Sequence, residues 1–179
     1  MLTDPLLIEH VAERRLYEYE PLKGTNVRRQ RSLLLTINAR DELYKDPWKR
    51  RPGELGETRE RFLSQHALLA RFVGGAALRA THDVKVLRPT TPTFEDLVEF
   101  RSGGPSPQSR LFTFVFSPGV WVGACLHFRD NLGDLGDPRW EAAAHQTRAE
   151  WEAVFGDRAP HRAHYPCDTR SRLRALTDV

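Results

Sequence analysis

Apolar positions recur along this chain with two different spacings, and the change between them falls near residue 83. Over residues 57–73, ETRERFLSQHALLARFV, the residues Phe62, His66, Leu69 and Val73 return every three or four positions, with Leu63 and Ala70 beside them. That is the stripe of an amphipathic helix, and Gly74-Gly75 stops it. From residue 83 the spacing becomes two. The segments DVKVLR, FEDLVEFR, RLFTFVFS and GVWVGACLHFR predict four strands. Ser117-Pro118-Gly119 joins the last two closely enough to make them antiparallel neighbours. Gly103-Gly104-Pro105 and Ser106-Pro107 make a longer loop before the third.

The last element is the most sharply bounded. Asp137 supplies an N-cap, and Pro138 takes the first helical position, where its missing N–H is no loss. Trp140, Ala144, Thr147, Trp151 and Val154 then share one helical face, with Phe155 adjacent, and Gly156 ends the helix. Two indoles on one face predict packing against the sheet. Toward the N-terminus the pattern is less decisive. Residues 5–20 fit a helix with Leu7, Val11 and Arg14 in one stripe, or a strand in RLYEYE. Residues 30–45 read as a helix through Leu33, Leu34, Ile37 and Tyr44, and DPWKRRPGELGE is a loop. The expected fold is α/β of the α+β kind: N-terminal helices packed on an antiparallel sheet of about four strands, with a C-terminal helix. It forms one domain over 1–156 with an extended N-terminal helical part, and 157–179 is a basic, flexible tail.

Composition narrows the class. A chain of 179 residues with 40% apolar and 28% charged residues can bury a real core. No apolar run reaches the roughly 18 residues of a membrane span. The start MLTDPLLIEH carries acids where a signal peptide carries positive charge, so a cytoplasmic protein that does not engage membranes is expected. The two cysteines, Cys125 in an apolar strand and Cys167 in a polar tail, argue against a structural disulfide. Net charge is +3, unevenly spread. Residues 14–51 hold eleven Lys/Arg against five Asp/Glu, and Arg outnumbers Lys by 23 to 4. Arginine suits phosphate because its planar fork donates bidentately, although codon usage in a GC-rich genome gives the same bias.

The candidate chemistry sits at the strand ends. Arg101 and Arg110 occupy the facing ends of two strands joined by a short loop, and His127 and Arg129 end the neighbouring strand. Arginines stabilise transition-state charge and an imidazole moves protons near neutral pH. Each residue also has a plain structural reading. Arg101 can pair with Glu99, Arg110 can mark a solvent boundary, His127 can face solvent, and Asp130 can neutralise Arg129. His161, His164, Cys167 and Asp168 offer zinc-ligand types at tight spacing in the tail. No P-loop, dinucleotide fingerprint or serine nucleophile motif is present.

The order of these elements resembles the RelE/HigB superfamily of bacterial toxins, over roughly residues 57–160. The resemblance is carried by Lys85 and Leu87 in VKVLR, by Glu99-Phe100-Arg101 and by Arg110 opening RLFTFVF. It continues through Leu126-His127-Phe128-Arg129 and TRAEWEAVFGDRAP, with Arg148, Trp151, Phe155-Gly156-Asp157 and Pro160. It implies a metal-independent endoribonuclease, the toxin of a toxin–antitoxin pair, that cleaves mRNA on the ribosome without a cofactor. Arg101 and Arg110 would then hold the scissile phosphate, His127 transfer a proton and Arg129 add charge. Lys85, Arg88 and the basic 14–51 segment would hold flanking RNA. mRNA, the ribosome and an acidic cognate antitoxin are the implied partners. The family's loop after the last strand is Lys-rich, whereas RDNLGDLGDP is acidic. That departure keeps open a non-catalytic binding module of the ParE kind, whose target is a protein such as DNA gyrase, or a phage-derived interaction protein. A ribonuclease is expected to lose activity without losing stability on Arg110→Ala.

Overall fold

In a computed structural model, the protein is described over residues 2–45, 55–80, 82–87, 96–104, 108–134 and 136–161. The elements in chain order are α1 (Pro5–Ala12), β1 (Leu16–Glu18), β2 (Ser32–Thr36), α2 (Ile37–Tyr44), α3 (Leu55–Val73), β3 (Val84–Val86), β4 (Leu97–Arg101), β5 (Ser109–Ser117), β6 (Val120–Phe128), α4 (Arg129–Leu132) and α5 (Pro138–Phe155). One six-stranded sheet runs in the order β1-β2-β6-β5-β4-β3.

The four strands read from the alternation form an unbroken antiparallel block, β6-β5-β4-β3. The expected sheet of about four antiparallel strands is nevertheless incomplete. β1 and β2 extend it, and β2 lies parallel to β6, so the sheet is mixed. The reason lies in burial. In β2, Leu33 and Leu35 enter the core on one face and Leu34 the core on the other. A strand covered on both sides shows a continuous apolar run instead of an alternation, and such a run cannot be told from a helix by its period. The expected helix over 30–45 therefore divides at Thr36. Its side chain accepts from the Ala39 amide at 3.3 Å to cap α2 and donates to the Ala124 carbonyl at 2.9 Å. Residues 5–20 resolve into both alternatives, α1 and then β1.

Two cores flank the sheet. On one face, Ala39 and Leu43 of α2 and Leu68, Leu69, Phe72 and Val73 of α3 pack against Val84, Val98, Phe100, Leu111 and Trp121. The rings of Phe72, Phe100 and Trp121 meet at centroid separations of 4.9 to 5.2 Å. His66 belongs to this layer as a packed residue. Tyr19 Oη lies 3.0 Å from its Nδ1, and burial lowers the imidazole to a pKa of about 4. On the other face lie Leu7 of α1, Leu132 of α4 and Trp140, Ala144, Trp151 and Phe155 of α5, over Leu97, Phe112, Phe114 and Val122. Both indoles of α5 are buried, and Asp137 caps it through the Arg139 amide at 2.9 Å. Among the described residues no helix is long and apolar enough to cross a membrane.

Candidate functional site

Strand register decides what comes together at the end of the sheet. Arg101 of β4 stands opposite Arg110 of β5, and Arg110 stands opposite His127 of β6. Directly paired residues of antiparallel strands share a face, so these three side chains form a row across three strands. Two residues further in, Glu99 stands between Lys85 and Phe112 on that same face, the one that α4 and α5 cover. Arg129 opens α4, with its amide bonded to the Gln108 carbonyl at 2.8 Å. Its guanidinium donates to the Gly133 carbonyl and lies 5.3 Å from the ring centre of Trp140. The expected gathering of three arginines and an imidazole is thus present. Arg88 lies outside the described residues, as do His164, Cys167 and Asp168. Among the described residues no three potential metal ligands cluster.

Depth is where this arrangement departs from a solvated rim. Arg110 is only 2% exposed and Glu99 only 1%. The Arg110 guanidinium donates to the Ser109 carbonyl at 2.9 Å and to Gln108 Oε1 at 2.8 Å. Its Nε faces Glu99 Oε2 at 3.7 Å, a charge contact longer than a hydrogen bond. Arg101, more open, approaches the other Glu99 oxygen at 3.4 Å. The solvent-boundary reading of Arg110 is therefore wrong, and the pairing of Arg101 with Glu99 is real.

Glu99 is the residue that the sequence pattern under-weighted. It is the hub of the cluster, with Arg110, Arg101, Lys85 and Arg129 all acting on its charge. Burial raises its carboxyl above the usual glutamate range against the pull of those four cations. Burial likewise lowers Arg110, and Arg101 and Arg129 push in the same direction while Glu99 opposes them. His127 is lowered by burial, which keeps its imidazole neutral at neutral pH. Its Nε2 has no hydrogen-bond partner, and neither does Glu99 Oε2 or Arg110 Nε. Its ring rests 5.1 Å from Phe112, which stacks on Trp140 at 6.0 Å. The signal available in the sequence was parity: Leu97, Glu99 and Arg101 alternate onto the face where Leu97 is core.

The arrangement offers fixed positive charge around one carboxylate, with a neutral imidazole at its edge. With four cations and one anion it has a formal excess of +3 before any ligand, an electrostatic invitation to an oxyanion. A cavity of about 240 Å³ elsewhere, lined by Leu2, Asp4, Leu7, Ser32, Ser117 and Val120, lacks this character. Its one carboxylate, Asp4, already caps α1. Comparison with protein-family models, with characterised proteins and with solved structures returned no match.

Proposed function

We propose that the protein is a metal-independent endoribonuclease acting as the toxin of a toxin–antitoxin pair, with mRNA, the ribosome and an acidic antitoxin as partners. The reading rests on one observation above all: Arg101, Arg110 and His127 align across three adjacent strands over a buried glutamate. In this reaction the ribose 2′-oxygen attacks the adjacent phosphorus and the P–O5′ bond breaks. The 2′-hydroxyl proton passes to the His127 imidazole, and the imidazolium returns it to the departing 5′-oxygen. An imidazole that burial keeps neutral suits the first transfer. Arg101 and Arg129, the more open cations, contact the phosphate, with Lys85 on the flank. Arg110 acts from beneath as a fixed charge that Glu99 holds in place.

One observation favours a second reading. Both terminal nitrogens of the Arg110 guanidinium bond within the fold and its Nε faces Glu99, as in a purely structural ion pair. A binding module of RelE/ParE type acting on a protein target keeps the same cluster and cuts nothing.

The test is induced expression in a bacterial host with growth followed and mRNA 5′ ends mapped, for wild type, His127→Asn and Arg101→Gln. Growth arrest with new ends that both variants lose supports the ribonuclease. Arrest without new ends moves the assignment to the binding module. A folded protein that causes no arrest removes the toxin reading altogether.

A further inference from the structure

Two acid-free stretches of the chain meet in the fold. Residues 21–40 hold Lys23, Arg28, Arg29, Arg31 and Arg40 without an Asp or Glu, and residues 61–82 hold Arg61, Arg71 and Arg79 without one. The fold lays the first across the C-terminal end of the second. The amides of Gln30 and Arg31 bond to the Val73 carbonyl at 2.8 and 3.1 Å. Gly74 comes within reach of Val27, and Gly75, at φ +77°, leaves room for the Gln30 side chain that a Cβ would displace. Arg31 donates to the Ala76 carbonyl at 3.1 Å, and Arg71 to the Ala77 carbonyl at 3.0 Å. Both carbonyls lie just beyond the end of α3 at Val73.

From there the cations continue along the β3 edge. Arg71 and Arg79 both reach Asp83, at 3.3 and 2.8 Å, with His82 at 3.1 Å. The Asp83 carbonyl then accepts the Arg101 amide at 2.8 Å, which joins this edge to the cluster already described. The result is a belt from Arg28 to Arg101. It runs from the end of the sheet where Ser32 pairs with Val120 to the end where Arg110 pairs with His127. That length is about 25 Å at roughly 3.3 Å per strand residue. The acids that face it are Glu18, which takes Arg29, Asp83, which is buried and takes Arg71 and Arg79, and Glu99, which takes Arg101. Among the described residues the exposed large apolar side chains are Ile8, Ile37, Tyr44 and Leu63, none of them in residues 27–31, 71–80 or 82.

We infer that this belt is a docking surface for the phosphate backbone of single-stranded RNA, leading the strand toward the cluster at Arg101. Arg28, Arg29, Arg31, Arg71, Arg79 and Arg101 outnumber these three acids, and the surplus positive charge is spread over the length of several successive phosphates. A protein partner calls for an apolar centre to its interface, and a membrane surface calls for apolar side chains that insert; the belt supplies neither. The choice of RNA rests on the proposed function, whereas the position of the belt rests on the packing of the two acid-free stretches.

The experiment measures binding, not cutting. Fluorescence anisotropy with a labelled single-stranded RNA is followed across a salt series for wild type, for Arg28→Gln/Arg79→Gln and for Arg139→Gln/Arg158→Gln, which removes equal charge from the other face of the sheet. Thermal melts establish that each is folded. The belt variant is expected to lower the slope of log K against log salt by about 1.4, at about 0.7 per lost phosphate contact, while the other pair keeps the wild-type slope. Equal losses in both pairs, or a belt variant that binds like wild type, overturn the inference. Displacement of the RNA by poly-glutamate at equal charge also overturns it, in favour of an acidic protein. If the belt variant alone loses binding while wild type cleaves nothing, the docking surface stands and the ribonuclease reading falls.

Discussion

Replacing Arg110 by Ala is the obvious probe of the strand-end cluster, and the structure changes what it measures. Arg110 is 2% exposed, and its side chain makes two hydrogen bonds, to the Ser109 carbonyl and to Gln108 Oε1. It also provides the charge nearest Glu99 Oε2, at 3.7 Å. Truncation leaves a cavity and a buried carboxylate that has lost its closest buried cation. Removing one partner of a buried pair costs about 3–5 kcal/mol. For a domain of this size each kcal/mol moves the melting temperature by about 2–4 °C, so a loss of roughly 6–20 °C is expected. The variant is thus expected to lose stability together with any activity, contrary to the clean loss of activity expected of a ribonuclease whose Arg110 binds the phosphate.

Calorimetry and urea titration of Arg110→Ala, Arg101→Ala and the pair Glu99→Leu/Arg110→Met test this together. Arg101 is partly open, so its removal is expected to cost about 1 kcal/mol or less. The pair replaces both buried charges by apolar groups of comparable size, and such swaps are often near neutral. It is expected to be more stable than Arg110→Ala alone. An Arg110→Ala protein within about 1 kcal/mol of wild type would refute the argument, because a locked buried guanidinium cannot be removed so cheaply.

Four further outcomes follow from the same geometry. Cleavage is expected to rise with pH through an apparent pKa below the ordinary 6.5, because burial lowers His127 and the neutral form accepts the proton; the acidic limb of the rate–pH profile disappears in His127→Asn. His66, lowered to about 4, binds fewer protons folded than unfolded, so its share of stability is present above pH 6.5 and lost as pH falls toward 4. That share is about 3 kcal/mol, and urea titrations at both ends of the window should show a flatter dependence for His66→Asn. Gly75→Ala, at φ +77° against Gln30, should cost about 1–2 kcal/mol by urea titration, with part recovered in Gly75→Ala/Gln30→Ala. Trp151→Ala, at 1% exposure with its indole N–H on the Arg158 carbonyl, should cost about 3–5 kcal/mol and lower the melting temperature accordingly.

The strands after residue 83 were legible because β-branched and aromatic residues fill short runs between turn signals such as Pro118-Gly119, although β4 and β5 are buried on both faces. The row of Arg101, Arg110 and His127 was legible for the same reason. β2 was not, because Leu33, Leu34 and Leu35 are wanted on both faces and leave no period to read. What no pattern reports is the roof over the end of a strand. Arg110 and Phe112 lie on one face of β5, and Leu132 of α4 and Trp140 close over Phe112 from well along the chain. A strand-end arginine is buried only where a carboxylate shares the enclosure, and here Glu99 supplies it from the neighbouring strand. Depth and charge must therefore be read as one fact. The same enclosure that makes Arg110 a poor hand for a substrate makes it a steady source of field, and it shifts the work of contact to Arg101 and Arg129. A functional test aimed at those two and at His127 separates chemistry from stability, whereas one aimed at Arg110 confounds them.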